Sequence, residues 1–132
     1  MPSEVPRFYR TWFLSAAAYN VGWGTVAGLF PSAIASMGGL GDLSHPPLVQ
    51  VIGMMVGVYG IGYYLLARDP VRYAGFIWIG LLGKVLGPLG YLWHAAQGTL
   101  PWQFGWVVLF NDVIWWPVFL LFAWKHARNP LG

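Results

Sequence analysis

Apolar residues fall in four long runs, at about 11–30, 48–67, 73–95 and 103–124, each close to the roughly 20 residues a helix needs to cross a bilayer. Punctuation between them is sharp. Arg7 and Arg10 precede the first run and Pro31 ends it, His45-Pro46-Pro47 opens the second, and Arg68-Asp69-Pro70-Val71-Arg72 forms a tight turn into the third. Gln97-Gly98-Thr99-Leu100-Pro101 leads into the fourth, which stops at Lys125-His126-Ala127-Arg128. The turn at Arg68–Arg72 is too short for anything but an antiparallel connection, so the second and third runs are neighbours. The pattern predicts an all-α fold: one polytopic transmembrane domain over 1–132, built as a four-helix bundle with no appended soluble domain. The first run is longer than a usual signal-peptide core and lacks a clear small-residue cleavage site, so it is expected to stay as a span.

Composition agrees with that pattern. Of 132 residues, 58% are hydrophobic and only 8% charged, against about 25% charged in a typical soluble domain. Cysteine is absent, which excludes disulfides, thiolate catalysis and Cys-ligated metal. The net charge of +3 marks topology, not a nucleic-acid surface. Arg7, Arg10, Arg68, Arg72, Lys125 and Arg128 lie in the two tails and the middle turn, whereas the alternate loops carry no basic residue. Positive charge stays inside, so both termini are expected in the cytoplasm, with the protein in the cell inner membrane. Trp12, Trp93, Trp102, Trp106 and Trp124 fall near run ends, at headgroup level, while Trp78, Trp115 and Trp116 fall deeper.

Lipid removes the hydrophobic drive between helices, so glycine spacing carries the packing signal. Ala17, Asn20, Gly24 and Gly28 share a helical face of the first run, and Gly53, Gly57 and Gly60 one of the second. Gly80, Gly83, Gly87 and Gly90 share a face of the third. Of these, Gly24, Gly53, Gly57, Gly80, Gly83 and Gly87 are the expected helix-packing positions.

The seventh basic residue, Lys84, follows Arg72 by roughly 18 Å of helix, which sets it at midplane. A charge there costs about 2.5 to 3.5 kcal/mol and calls for a partner. Asp112, the acidic residue inside a run, precedes Lys125 by roughly 20 Å, at the same depth. Asn20 and Asn111 lie at similar levels, so a cluster of Asn20, Lys84, Asn111 and Asp112 is expected, with Tyr19 or Tyr59 as neighbours. Pro88 frees the Lys84 carbonyl and Pro117 frees that of Val113, so each charge adjoins a weakened turn. Such a pair is either a structural lock between helices or a site for a substrate, proton or ion. A buried lysine can also take a carbonyl ligand as a Schiff base, with Asp112 as counter-ion. His45, His94 and Asp42 approach the opposite surface, but their spacing matches no metal motif, and no catalytic constellation is legible.

The runs Arg10-Thr11-Trp12-Phe13, Tyr19-Asn20, Phe30-Pro31, Ala67-Arg68-Asp69-Pro70 and Gly83-Lys84-Val85-Leu86-Gly87-Pro88 carry a resemblance over most of the chain. In them the sequence resembles uncharacterised small four-span membrane proteins of bacteria that are loosely DoxX-like. The resemblance implies a setting in quinone-linked sulfur oxidation or a membrane redox complex, and no site residue transfers from it. The function expected is that of a non-catalytic integral membrane protein, a homo-oligomer or an accessory subunit whose partners are the lipid bilayer, itself or other membrane subunits. The alternatives are a small transporter or channel element using Lys84 and Asp112, and a binder of a lipophilic ligand such as a quinone, with Trp78, Trp115 and Trp116 lining the site. The sequence names no cofactor.

Overall fold

The computed structural model describes residues 5–128, so the outermost ends of the 1–132 domain, and with them the terminal residues, lie outside the described part. Among the described residues the regular structure is helical throughout: α1 (Arg7–Leu29), α2 (Pro31–Gly38), α3 (Pro46–Arg68), α4 (Phe76–Ala96), α5 (Gly105–Asn111) and α6 (Trp116–His126). Single 3-10 turns at Trp102–Phe104 and Val113–Trp115 join α5 and α6 to what precedes them. Three helical stretches, Pro46–Arg68, Phe76–Ala96 and Trp102–His126, are long and apolar enough to cross a membrane. The 23-residue α1 is as long as α3, but Arg7, Arg10, Thr11, Ser15, Asn20 and Thr25 dilute its apolar character.

Pro31 does end α1, at Phe30 (φ −134°, ψ 65°), but it also starts α2, because a proline at the first helical position loses no hydrogen bond. The short α2 closes at Gly39, whose φ of 73° is left-handed and needs glycine. In the middle turn the Arg72 amide donates to the Asp69 carboxylate at 3.0 Å, and α4 starts only at Phe76.

The tightest seam is between α1 and α3, which run antiparallel with their backbones touching. A Cβ on Gly24 would press on the Gly53 carbonyl oxygen and stand 2.9 Å from the Gly57 nitrogen. One on Gly53 would stand 2.7 Å from the Ala27 methyl and 2.9 Å from the Gly24 oxygen, and one on Gly60 would stand 3.0 Å from the Ala17 oxygen. Two amides add polar contacts across the seam: Asn20 donates to the Val56 carbonyl at 3.2 Å and Gln50 to that of Gly28 at 2.9 Å. Close backbone approach with side-chain-to-carbonyl bonds is how helices associate without a hydrophobic drive.

The bundle has two unlike halves. At the end that gathers the start of α1 and the ends of α3 and α6, aromatic rings fill the interior. Phe13 meets Phe122 at 4.9 Å between centroids, Tyr63 meets Phe119 at 5.1 Å, and Tyr9 meets both Phe122 and His126 at 5.3 Å. Toward the other end α3 and α4 part, and α2 with the Trp102–Phe104 turn covers the top, Phe104 lying on Gly38 and Gln103 on Gly39. The outward faces of α3 and α4 are apolar: Val51, Met54, Val58, Ile61, Leu82 and Leu89 are exposed, the reverse of a water-soluble bundle. Trp93, Trp102, Trp106 and Trp124 are exposed as expected of interfacial tryptophans, whereas Trp12 turns inward onto Trp115 at 5.2 Å.

Alanine substitution separates seam glycines from open ones. Gly24→Ala is expected to force α1 and α3 apart and cost about 1–3 kcal/mol. A Cβ on Gly57 itself meets nothing within 4 Å, so Gly57→Ala is expected to keep or raise stability. Thermal unfolding in mild detergent checks both; equal loss in the two variants would contradict this seam.

Candidate functional site

Lys84 sits near the middle of α4 and is 3% exposed, and Asp112 is 8% exposed where α5 ends. The two side chains approach to 3.8 Å, Nζ to Oδ1. The ammonium's closest partner, however, is a backbone group: it donates to the Asn111 carbonyl at 2.6 Å. That acceptor exists because the helix breaks. An unbroken helix would give the carbonyls of Phe110 and Asn111 to the amides four residues on. Here Asp112 turns aside (φ −123°, ψ −57°), the Trp115 amide bonds to the Asp112 carbonyl at 3.2 Å, and both upstream carbonyls are released. Lys84 takes one, and the Trp115 indole takes the other at 3.0 Å. The sequence pointed to Pro117 as the weak spot, yet Pro117 stands harmlessly in the first turn of α6 and the break falls at Asp112.

Pro88 keeps its place inside a continuous α4. The Lys84 carbonyl that it frees accepts from the Trp116 indole at 2.9 Å, so α4 and α6 are tied by the same residue that carries the charge. The ring of Tyr63 lies 5.5 Å from the ammonium, a cation–π distance. Asn111 donates its amide to Asp112 Oδ1 at 3.3 Å.

The α4 glycines make room for side chains instead of a neighbouring backbone. A Cβ on Gly87 would stand 2.7 Å from Asp112 Oδ2, one on Gly80 would stand 2.8 Å from the Tyr63 ring, and one on Gly83 3.2 Å from Tyr59. Glycine at these positions admits the carboxylate and two phenol rings against α4.

Above this floor opens a cavity of about 500 Å³, within the range of roughly 300 to 1,000 Å³ usual for small-molecule sites. Its floor holds Asn20, Tyr63, Lys84, Asn111 and Asp112; its walls are Trp23, Ile52, Met55, Val56, Tyr59, Leu86, Val107 and Val108. Tyr91, His94, Leu100 and Phe104 line the far end. Of the expected cluster, Lys84, Asn111 and Asp112 are joined by hydrogen bonds or charge, and Asn20 and Tyr59 share the cavity with them. Tyr19 does not line it and packs on Trp115 at 5.7 Å. Trp78, Trp115 and Trp116 are outside it too, with the Trp78 indole bonded to the Ala127 carbonyl. His94 bonds Thr99 at 2.9 Å beside the cavity's far end. Tyr63 escaped the sequence reading, although it stands one helical turn after Tyr59, and Trp116, expected to line a ligand site, instead donates to the carbonyl freed by Pro88.

Three polar atoms of the floor have no partner among the described residues: Asn20 Oδ1, the Tyr63 hydroxyl and Asn111 Oδ1. Like the Trp12 indole nitrogen, they are packed against protein and do not open onto the cavity: Asn20 is 2% exposed, and the fully buried Tyr63 has its hydroxyl against Gly80 of α4. A buried polar atom left unpaired costs about 1–3 kcal/mol. Comparison with known proteins finds no match: no family model, no curated protein and no solved structure aligns significantly with the chain.

Lys84→Met strands a buried carboxylate and Asp112→Asn strands a buried ammonium, so each is expected to cost about 3 kcal/mol, and the double change to recover most of it. Detergent melting curves of the three variants check the pair; additive losses in the double variant would separate the two residues. Trp116→Phe, which removes the donor to the Lys84 carbonyl, is expected to cost about 1–3 kcal/mol in the same assay.

Proposed function

We propose that this protein is a four-span integral membrane protein that holds a small lipid-soluble ligand in the cavity above Lys84 and Asp112. The observation that carries the proposal is an otherwise apolar cavity of about 500 Å³ that ends on the buried group of Lys84, Asn111 and Asp112. Apolar walls with a few convergent polar groups are the general form of a small-molecule site. α1 supplies the fourth span, held to α3 by the glycine seam, and the six flanking basic residues put both termini in the cytoplasm of a cell with this protein in its inner membrane. The cavity then faces the non-cytoplasmic half of the bilayer, with Lys84 and Asp112 at its inner limit.

A transporter element would need a second opening toward the basic end. The block of Tyr9, Phe13, Phe119 and Phe122 weighs against one. Work as a homo-oligomer or as an accessory subunit of a larger membrane complex fits a binding protein and belongs to the same proposal, as does kinship with DoxX-like proteins, which rests on short motifs.

Two measurements test this. Lipid extracts of protein purified in mild detergent, read by mass spectrometry, are expected to hold one non-bulk lipid-soluble molecule in stoichiometric amount, lost in the Lys84→Met, Asp112→Asn double variant. Recovery of bulk phospholipid alone, equal in both proteins, would overturn the binding proposal. Reporter tags at either terminus are expected to read as cytoplasmic and a tag in the 38–42 loop as the opposite compartment; a terminus reading outside would overturn the topology.

A further inference from the structure

The polar atom that the inner end of the cavity presents belongs to Asp112. The Lys84 side chain is 4% exposed, and its ammonium is committed to the Asn111 carbonyl and to Asp112 Oδ1. The Asp112 side chain is 12% exposed and lines the cavity. Its Oδ1 takes the Asn111 amide and faces Lys84, while Oδ2 has no hydrogen-bond partner among the described residues and, unlike Asn20 Oδ1, is not sealed in. α4 leaves it uncovered because residue 87 is glycine: a Cβ there would stand 2.7 Å from Oδ2, and Gly87 is itself exposed and lines the cavity.

An ionised carboxylate oxygen only accepts, so a complementary head must donate. A ketone, quinone, ester or ether has no proton to give. Charge narrows the choice further. Lys84 already balances Asp112, and an ammonium head would add an unpaired charge deep among apolar helices, where it is costly. Among uncharged donors, the bond to an anion strengthens as the donated proton becomes more acidic, and a phenolic hydroxyl is far more acidic than that of an alkyl alcohol.

The wall beside Oδ2 suits a ring. Gly83, Gly87 and Gly90 share one face of α4, and all three are exposed and line the cavity. The Tyr59 ring lies against Gly83, but a Cβ on Gly90 would meet nothing within 4 Å, so from Gly87 to Gly90 bare backbone faces the cavity. Bare backbone admits the flat face of a ring that a side chain would hold off. Ile52, Met55 and Leu86, which complete the wall, are each more than half exposed on the outer face of the bundle, so the cavity borders on whatever surrounds the helices.

Resting on the binding function proposed above, we infer that the ligand is an uncharged, lipid-soluble phenol read by Asp112. Its hydroxyl donates to Oδ2, its ring lies along α4 at Gly87 and Gly90, and its apolar substituent runs out beside Leu86.

The test uses the whole protein in phospholipid nanodiscs with three photoreactive probes: a phenol carrying a diazirine in a para-alkyl chain, its methyl ether, and the matching cyclohexanol. Crosslinks are mapped by peptide mass spectrometry at Val108, which lines the cavity and is only 8% exposed. The phenol is expected to label Val108 about tenfold more than the ether does, competed by the plain alkylphenol, since a hydrogen bond to a charged group is worth at least that factor. The cyclohexanol is expected to fall between them. In the Lys84→Met, Asp112→Asn double variant the Asn111 amide still needs its acceptor, so the new amide keeps its oxygen there and turns its NH2 to the cavity. The ether is then expected to label at least as well as the phenol. Gly87→Ala keeps both charges but sets a methyl over Oδ2, and is expected to lose most of the preference too. An unchanged preference in these variants would overturn the role of Asp112, and equal labelling by phenol and cyclohexanol would overturn the phenol. Equal, competed labelling of Val108 by all three probes would overturn any donor head and leave the cavity as a site. Labelling confined to outward residues such as Val58 and Leu82, uncompeted, would overturn both.

Discussion

A lysine and an aspartate stand 3.8 Å apart half-way along apolar helices, and the surrounding structure is what makes such a pair tolerable. Without water, an ammonium needs more than one opposing charge at that distance. It needs short hydrogen bonds, and the backbone supplies the best of them only where a helix is interrupted. The break at Asp112 releases the Asn111 carbonyl to Lys84, and Pro88 releases the Lys84 carbonyl to Trp116. Each irregularity that an isolated helix would find costly is satisfied by the neighbouring one, so α4, α5 and α6 are coupled through their defects.

That coupling decides where the bundle is dense and where it is open. Below Lys84 the aromatic rings of Tyr63, Phe119, Phe122 and Phe13 leave no space, and Tyr63 presents its face to the ammonium. Above it, α1 and α3 are locked together by Gly24, Gly53 and Gly60, while α3 and α4 diverge. A seam on one side and a gap on the other produce a cavity with a polar floor and an open flank. The proposed binding function rests on that cavity, whose apolar walls end on a buried ion pair.

Much of this was legible in the chain before any coordinates. Apolar runs bounded by arginine and proline mark the long helices, and the rarity of charge inside them singles out Lys84 and Asp112. Glycines spaced by three and four residues marked Gly24 and Gly53 as packing positions, without showing that they meet each other across α1 and α3. What escaped was whatever depends on local backbone choice or helix rotation. Pro31 reads equally as a stop or a start, and so α2 was missed. The stretch from Trp102 to His126 is apolar enough on average to read as one span, and Asn111 and Asp112 within it read as buried polar groups, which hides the turn there. Tyr19, Tyr59 and Tyr63 are indistinguishable by residue type, and only the rotation of α1 and α3 decides that Tyr59 and Tyr63 border the cavity while Tyr19 faces Trp115. The glycines of α4 carry the same spacing as those of α3 but accommodate phenol rings and a carboxylate.

The proposed function requires a bound molecule in the cavity above Lys84 and Asp112. A crystal structure of the protein grown from a mesophase made with its own membrane lipids would test this most directly. Elongated density is predicted inside the cavity, between Tyr59, Leu86 and Val108, ending near Lys84 and Asp112. Ordered water alone in the cavity, or a helix of a second copy filling the gap between α3 and α4, would contradict it.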